Sequence, residues 1–180
     1  MGAVRRGSSG FTIIELLVVI AVSAVLLGIA VPSFTDFVAQ QRVKSNAEQL
    51  RQALIIARAE AVKSKRAVYI KPDTGGWSAG WFISRDHDND GDLEHNTIAN
   101  CSSNSGGDIC LQVFNEMNAG TVVESSSQSV IAFNSQGRPT STALSFRFCD
   151  PNSDKDIYSR TLSISISGTP TVAKGTTCDN

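Results

Sequence analysis

The run from Phe11 to Val31, FTIIELLVVIAVSAVLLGIAV, constrains this chain more than any other feature. As a helix rising about 1.5 Å per residue it would extend roughly 31 Å, the thickness of a bilayer's hydrocarbon core. A short stretch carrying Arg5 and Arg6, MGAVRRGSSG, precedes it. An ordinary secretory signal places a small-residue cleavage site after its apolar run. Here Ile29-Ala30-Val31-Pro32 passes directly into a further helical pattern, so the apolar segment reads as retained in the mature protein.

Glu15 interrupts this run. A carboxylate within an apolar span costs about 2.5–3.5 kcal/mol on insertion scales. It could snorkel to the headgroups from one turn inside, or a cation could be supplied to it later. Cleavage after Gly10 would free the α-amino group of Phe11 and make Glu15 the fifth mature residue. In a polymer of staggered helices, one subunit's Glu15 would then face another's Phe11 amine.

Gly10-Phe11-Thr12-Ile13-Ile14-Glu15-Leu16 resembles the type III signal of type IV pilins and pseudopilins: a Gly-Phe junction, apolar residues and a glutamate at the fifth mature position. The resemblance implies cleavage by a prepilin peptidase between Gly10 and Phe11, N-methylation of Phe11, and an assembly role for Glu15.

Beyond Pro32 the apolar residues Val43, Ala47, Leu50, Leu54, Ala57 and Ala61 recur at alternating spacings of four and three, one stripe of an amphipathic helix. Arg42, Lys44, Glu48, Arg51, Arg58 and Glu60 fall on the other side and read as a solvated surface, not a nucleic-acid site. Pro32 should kink or loosen the helix without ending it. The pattern predicts one helix from about Phe11 to Lys65.

After Arg66 the period becomes two. Trp77, Ala79, Trp81 and Ile83 share one strand face; Leu144, Phe146 and Phe148 share another; Leu162, Ile164 and Ile166 alternate with serines. Weaker strand candidates are 67–70, 111–114, 121–124 and 130–133. Turns are signalled at Gly75-Gly76, Ser135-Gln136-Gly137 and Gly168. The fold class is α+β, a long N-terminal hydrophobic helix packed on an antiparallel β-sheet head. The succession WSAGWFISRDHDNDGD, IAFNSQGRP, LSFRFCD and LSISISG resembles the GspH/FimT-type branch of minor pilins and minor pseudopilins. That resemblance implies a minor type IV pilin that helps initiate and cap the pilus. Its alternatives are a minor pseudopilin of type II secretion and a DNA-binding minor pilin for DNA uptake. The DNA-binding group carries a G-R-x-R motif near the C-terminus, whereas this chain has Gly168-Thr169-Pro170-Thr171 and lacks the arginines that would grip phosphate.

Charge adds little. The net charge is −1, and loss of the leader removes two arginines and no acid, so nothing attracts nucleic acid in bulk. Cys101, Cys110, Cys149 and Cys178 form no C-x-x-C pair, which argues against zinc. In an exported chain they read as two disulfides, with spacing favouring Cys101–Cys110 and Cys149–Cys178 among three connectivities. Asp86, Asp88, Asp90 and Asp92 around Gly91 have the spacing of the first half of an EF-hand. Thr97 stands where the bidentate glutamate belongs, so that motif is rejected. A solvated acidic turn is preferred to a Ca²⁺ site. His87 and His95 read as exposed loop residues and Trp77 and Trp81 as core. No phosphate loop, catalytic carboxylate pair or nucleophile elbow is present in the sequence, and an enzyme is not expected.

The organisation expected is a leader peptide (1–10), a transmembrane and filament-core helix (11–32), the amphipathic half of that helix (33–66) and a β-rich head (67–180). The protein is expected to be a single-pass inner-membrane protein with its head in the periplasm, incorporated into a pilus or pseudopilus. Its expected partners are major and minor pilins or pseudopilins, the prepilin peptidase and membrane lipid before assembly.

Overall fold

The computed structural model describes residues 11–103, 107–117, 122–125, 130–140, 144–150 and 159–175, without the side chains of 29–33 and 122–125. Helix α1 runs from Ile13 to Ser64 without a break, as the merged patterns on either side of Pro32 require. Thr12 caps it: the amide of Glu15 donates to Thr12 Oγ1 and that of Leu16 to the Thr12 carbonyl. Lys65, at φ 57°, ends it in the left-handed conformation that turns the chain away from a helix.

Two units can be distinguished, residues 1–38 and 39–180. The second holds two antiparallel four-stranded sheets. The first sheet contains β1 (Val68–Asp73), β2 (Gly76–Arg85), β3 (Ile109–Phe114) and β5 (Ile131–Phe133) in the order β3-β2-β1-β5; a short helix, α2 (Ile98–Ser103), lies between β2 and β3. The second sheet is formed by β4 (Val122–Ser125), β6 (Leu144–Cys149), β7 (Arg160–Ile164) and β8 (Pro170–Lys174) in the order β4-β6-β7-β8.

The stripe read from α1 is the spine of the core. Val43, Ala47, Leu50, Leu54, Ala57 and Ala61 are all fully buried, joined by Ala53. They pack in one cluster with Ile70, Trp81, Ile83 and Phe133 of the first sheet and Phe146, Phe148 and Leu162 of the second. Alanine at every other contact keeps the helix close to the sheets, while Leu50 and Leu54 fill the space between them.

Two departures from the pattern have physical causes. Ile166 is 76% exposed and lies beyond β7, because the turn at Gly168 must begin with Ser165. Strand β8 gave little signal: it opens with Pro170, tolerated at the first residue of an edge strand, and its remaining residues are short and mixed.

The β7–β8 turn and the turn after β5 share one construction. In each, the amide of the first residue donates to the carbonyl four ahead, as Asn134 to Arg138 (3.0 Å) and Ser165 to Thr169 (3.1 Å). A glycine occupies the fourth position with φ of 72° (Gly137) or 81° (Gly168). The first side chain accepts the closing amide: Asn134 Oδ1 from Arg138 and Ser165 Oγ from Thr169. The two turns meet, since a Cβ on Gly168 would stand 2.4 Å from the carbonyl oxygen of Gly137.

Candidate functional site

The first turns of α1 expose apolar side chains in all directions. Ile13 and Leu16 are 82% and 60% exposed, and exposure above half continues through Val25, Leu26 and Leu27. A helix apolar around its whole circumference is stable only when other apolar material surrounds it. Glu15 is the single acid in this stretch, set in the first turn, where a negative charge is favourable to the helix dipole. Among the described residues no helix is long and apolar enough to cross a membrane. In the sequence the apolar run continues to Val31; the side chains of residues 29–33 are not described, and Gly10 lies outside the described residues.

The face of α1 read as a solvated charged surface is divided in use. Arg51 pairs with Glu48 at 2.6 Å along the helix. Two others instead turn toward the head. Arg58 Nε donates to the carbonyl of Gly137 (3.1 Å), and Glu60 accepts from Arg85 of β2 at 2.7 Å. Burial works against the Glu60 carboxylate, yet hydrogen bonds from Lys63 and Arg85 hold it below the usual glutamate range. Ile55, Ile56 and Val62, which the charged pattern hid, stand exposed beside them.

The acidic segment after β2 is partly folded inward. Asp86 is 2% exposed and accepts the amides of Asn89 (2.5 Å) and Gly91 (3.2 Å), so its position is that of a loop organiser and not of a solvated carboxylate. Glu94 and Asp108 clasp each other's backbone: Glu94 Oε2 accepts from the Asp108 amide (2.7 Å), and Asp108 Oδ2 from the Glu94 amide (3.3 Å). Burial, with Asp86 adding to it, raises the Asp108 carboxyl above its ordinary value. Asp88, Asp90 and Asp92 are exposed and linked by Asx-type bonds, the amide of Asp90 to Asp88 and that of Asp92 to Asp90. Oxygens of Asp86, Asp88 and Asp90 lie within 4.8 Å of one another, as do those of Asp88, Glu94 and Asp108. These groups would be the donors to a hard cation such as Ca²⁺, whose chemistry demands oxygen ligands.

This segment also covers the outer face of the first sheet. Tyr69 donates to the Gly91 carbonyl at 2.8 Å, and burial plus the surrounding carboxylates push its hydroxyl up to about 12. His95 is fully buried, with Nδ1 3.0 Å from Ser84 Oγ and its ring edge-on to Phe82. The expectation of an exposed His95 is thereby corrected; His87 is exposed. Trp77 and Trp81 are core residues, Trp81 stacked on Phe114.

Cys101 of α2 and Cys110 of β3 form a disulfide that ties the end of this covering segment to the sheet, with Cα atoms 5.1 Å apart. Cys149 is also disulfide-bonded; Cys178 lies outside the described residues.

Comparison with known proteins agrees with this geometry. Residues 5–31 match the prokaryotic N-terminal methylation motif, and residues 46–168 match the model of type II transport protein GspH, about two thirds of the chain. The type IV narrow pilus major component PilA5 of Thermus thermophilus is 35% identical over 85 residues, covering 44% of this chain and 73% of that protein. The type IV minor pilin FimU of Pseudomonas aeruginosa superposes with a TM-score of 0.57 at 25% identity, covering 76% of this chain and 92% of FimU. The minor pseudopilin EpsH from the type II secretion system of Vibrio cholerae shares the fold, with a TM-score of 0.52 at 12% identity over 74% of this chain and 97% of EpsH. A helix that begins in a methylation motif, leaves its apolar start exposed and buries its second half under two sheets is the architecture of a filament subunit, and the chain belongs to the GspH family of type IV pilin-like proteins.

Proposed function

We propose that this pilin-type subunit serves as a minor component of a type IV pilus, where it helps initiate assembly and caps the tip. In this reading the precursor sits in the inner membrane with its head in the periplasm. A prepilin peptidase cleaves between Gly10 and Phe11, Phe11 is N-methylated, and the apolar helix passes from lipid into a bundle of other pilin helices. The protein acts by assembly and not by catalysis. The observation that supports this most directly is the contrast along α1. Its first turns expose apolar residues around Glu15 while its second half is sealed into the head. The similarity to the minor pilin FimU favours the pilus.

A minor pseudopilin of type II secretion is the second reading, favoured by the description of the matching family model. A role in DNA uptake has less support, since the turn Gly168–Thr171 carries no arginine.

Intact mass of the protein extracted from membranes should show loss of residues 1–10 and one added methyl group. Glu15→Ala should insert normally but enter filaments poorly. A mature chain beginning beyond Ala30, or full incorporation of the mutant, would overturn the reading.

A further inference from the structure

Beside α1, an open groove of about 520 Å³ runs between Ile55, Ala59 and Val62 on the helix and Thr169-Pro170 at the β7–β8 turn, with Arg58 in its lining. Ile55 and Val62 are 43% and 51% exposed, so they form an apolar surface that the head itself does not cover. Contiguous exposed apolar surface rimmed by polar groups marks an interaction site.

The charge around this surface is one-sided. Arg58 donates through Nε to the Gly137 carbonyl (3.1 Å), and among the described residues no carboxylate lies within ion-pair distance of its guanidinium. Arg138, exposed on the turn that supplies this carbonyl, has no such carboxylate among the described residues either. Glu48 pairs with Arg51 along the helix and leaves these two cations uncompensated. Glu60 is committed to Arg85 and Lys63. The groove is also rigid. A Cβ on Gly137 would stand 2.8 Å from Val62 Cγ2 and 3.2 Å from Arg58 Cγ, and one on Gly168 would stand 3.2 Å from Arg58 Nε, so both glycine turns hold these side chains in place. An arginine fixed in advance loses little freedom on binding, and apolar neighbours that exclude water strengthen its pair with a carboxylate.

These properties select the occupant. Pro170 has no N–H, and the Thr169 carbonyl already accepts from Ser165, so this wall offers an added strand little to pair with. The partner must bring side chains: an apolar group for the floor and a carboxylate for Arg58. A subunit used singly at a filament end meets other pilin-type chains and not copies of itself. We propose that this groove docks the head of a different pilin-type subunit, which seats an apolar side chain on Ile55 and Val62 and pairs an adjacent carboxylate with Arg58. The inference rests on the filament-subunit reading and deepens it, giving the contact between heads a place and a chemistry. The apolar start of α1 and Glu15 keep their part in joining helices; the groove decides which head stands beside this one.

The test places the photo-crosslinking residue p-benzoyl-phenylalanine at Val62 of the full-length protein, produced in cells that make their complete set of pilin-type subunits. Adducts are recovered from sheared filaments and from membranes and mapped by mass spectrometry. The expected adduct joins position 62 to the head of a different pilin-type chain, in a segment holding Asp or Glu beside an apolar residue. Arg58→Glu should lower its yield at least five-fold, and changing the mapped acid of the partner to Arg should restore most of it. Ile55→Glu, at an exposed position outside the Arg58–Gly137 bond, should lower the yield as far while thermal unfolding stays unchanged, which separates lost docking from misfolding. An adduct insensitive to both substitutions overturns the proposal. So does an adduct to any other molecule, a second copy of this chain included, or no adduct although the protein enters filaments. Each of these outcomes leaves the filament-subunit reading in place. Failure of the parental protein to be cleaved and to join other pilin-type chains removes that reading, and this proposal with it.

Discussion

The two halves of α1 are the same secondary structure put to opposite uses. Between Ile13 and Leu27 every large apolar side chain is more than half exposed; between Val43 and Ala61 a stripe of seven is sealed completely. The second half is stabilised by the chain that contains it. Among the described residues the first half leaves its apolar side chains exposed, so its surface is a demand on other molecules. Hydrophobicity alone therefore says little about core formation. What distinguishes the halves is periodicity: the second confines its apolar residues to one stripe, and the first does not.

The largest test of this contrast is paired truncation. Leu54→Ala should cost the head about 2–5 kcal/mol, the range for a buried leucine that leaves a cavity. Leu17→Ala should leave thermal unfolding of the head unchanged and reduce assembly instead. Equal destabilisation by both would mean that the first half packs on its own head.

Next in size is the covering segment of the first sheet. Replacing Cys101 and Cys110 with serine releases a short closed loop, and the loop-entropy model assigns this about 2–3 kcal/mol. Denaturant unfolding should show that loss, and protection of the Ser84–His95 layer from hydrogen exchange should fall with it. If the cost is negligible, packing of His95 and Phe82 alone secures the segment. Loss of the disulfide at Cys149 should cost more if its partner is Cys178, because the closed loop is longer.

The smallest effect is expected at the exposed carboxylates. Asp88→Ala with Asp90→Ala should be neutral or slightly stabilising, because it relieves repulsion between like charges. Melting curves in Ca²⁺, Mg²⁺ and EDTA at equal ionic strength should coincide. A rise specific to Ca²⁺, abolished by the double mutant, would instead establish these aspartates as ligands.

The helix, its buried stripe and the turns at Gly137 and Gly168 were legible because each has a local signature: a period, or a glycine where φ is positive. The outer layer was not. Phe82 and Ser84 sit on the face of β2 opposite Trp81 and Ile83, so an alternating pattern implies that they are wet. They are buried because residues 86–97 fold back over them, a non-local event anchored by Asp86 and His95. Arg58 and Glu60 escaped for a related reason. A charged side chain reads as solvent-facing until a distant carbonyl or arginine is found opposite it, and Gly137 lies 79 residues from Arg58. Also legible in sequence were the N-terminal methylation motif, matched over residues 5–31, and the pairing of Cys101 with Cys110. The groove beside Val62 had no signal other than apolar residues on the face assigned to charge.

The meeting of the two glycine turns has a consequence for divergence. Each belongs to a different sheet; a Cβ on Gly168 would stand 2.4 Å from the Gly137 carbonyl oxygen, and one on Gly137 would stand 2.8 Å from Val62 Cγ2, so a side chain at either position requires its neighbour to withdraw. Arg58 lies against both. These three positions are expected to drift as a unit across relatives, each replacement permitted only in the company of the others. The exposed side chains of Asp88, Asp90 and Asp92, two of which accept only from amides of their own loop, carry no such reciprocal obligation. Lineages should therefore differ most there and least at the junction, even though both are surface turns rich in small polar residues.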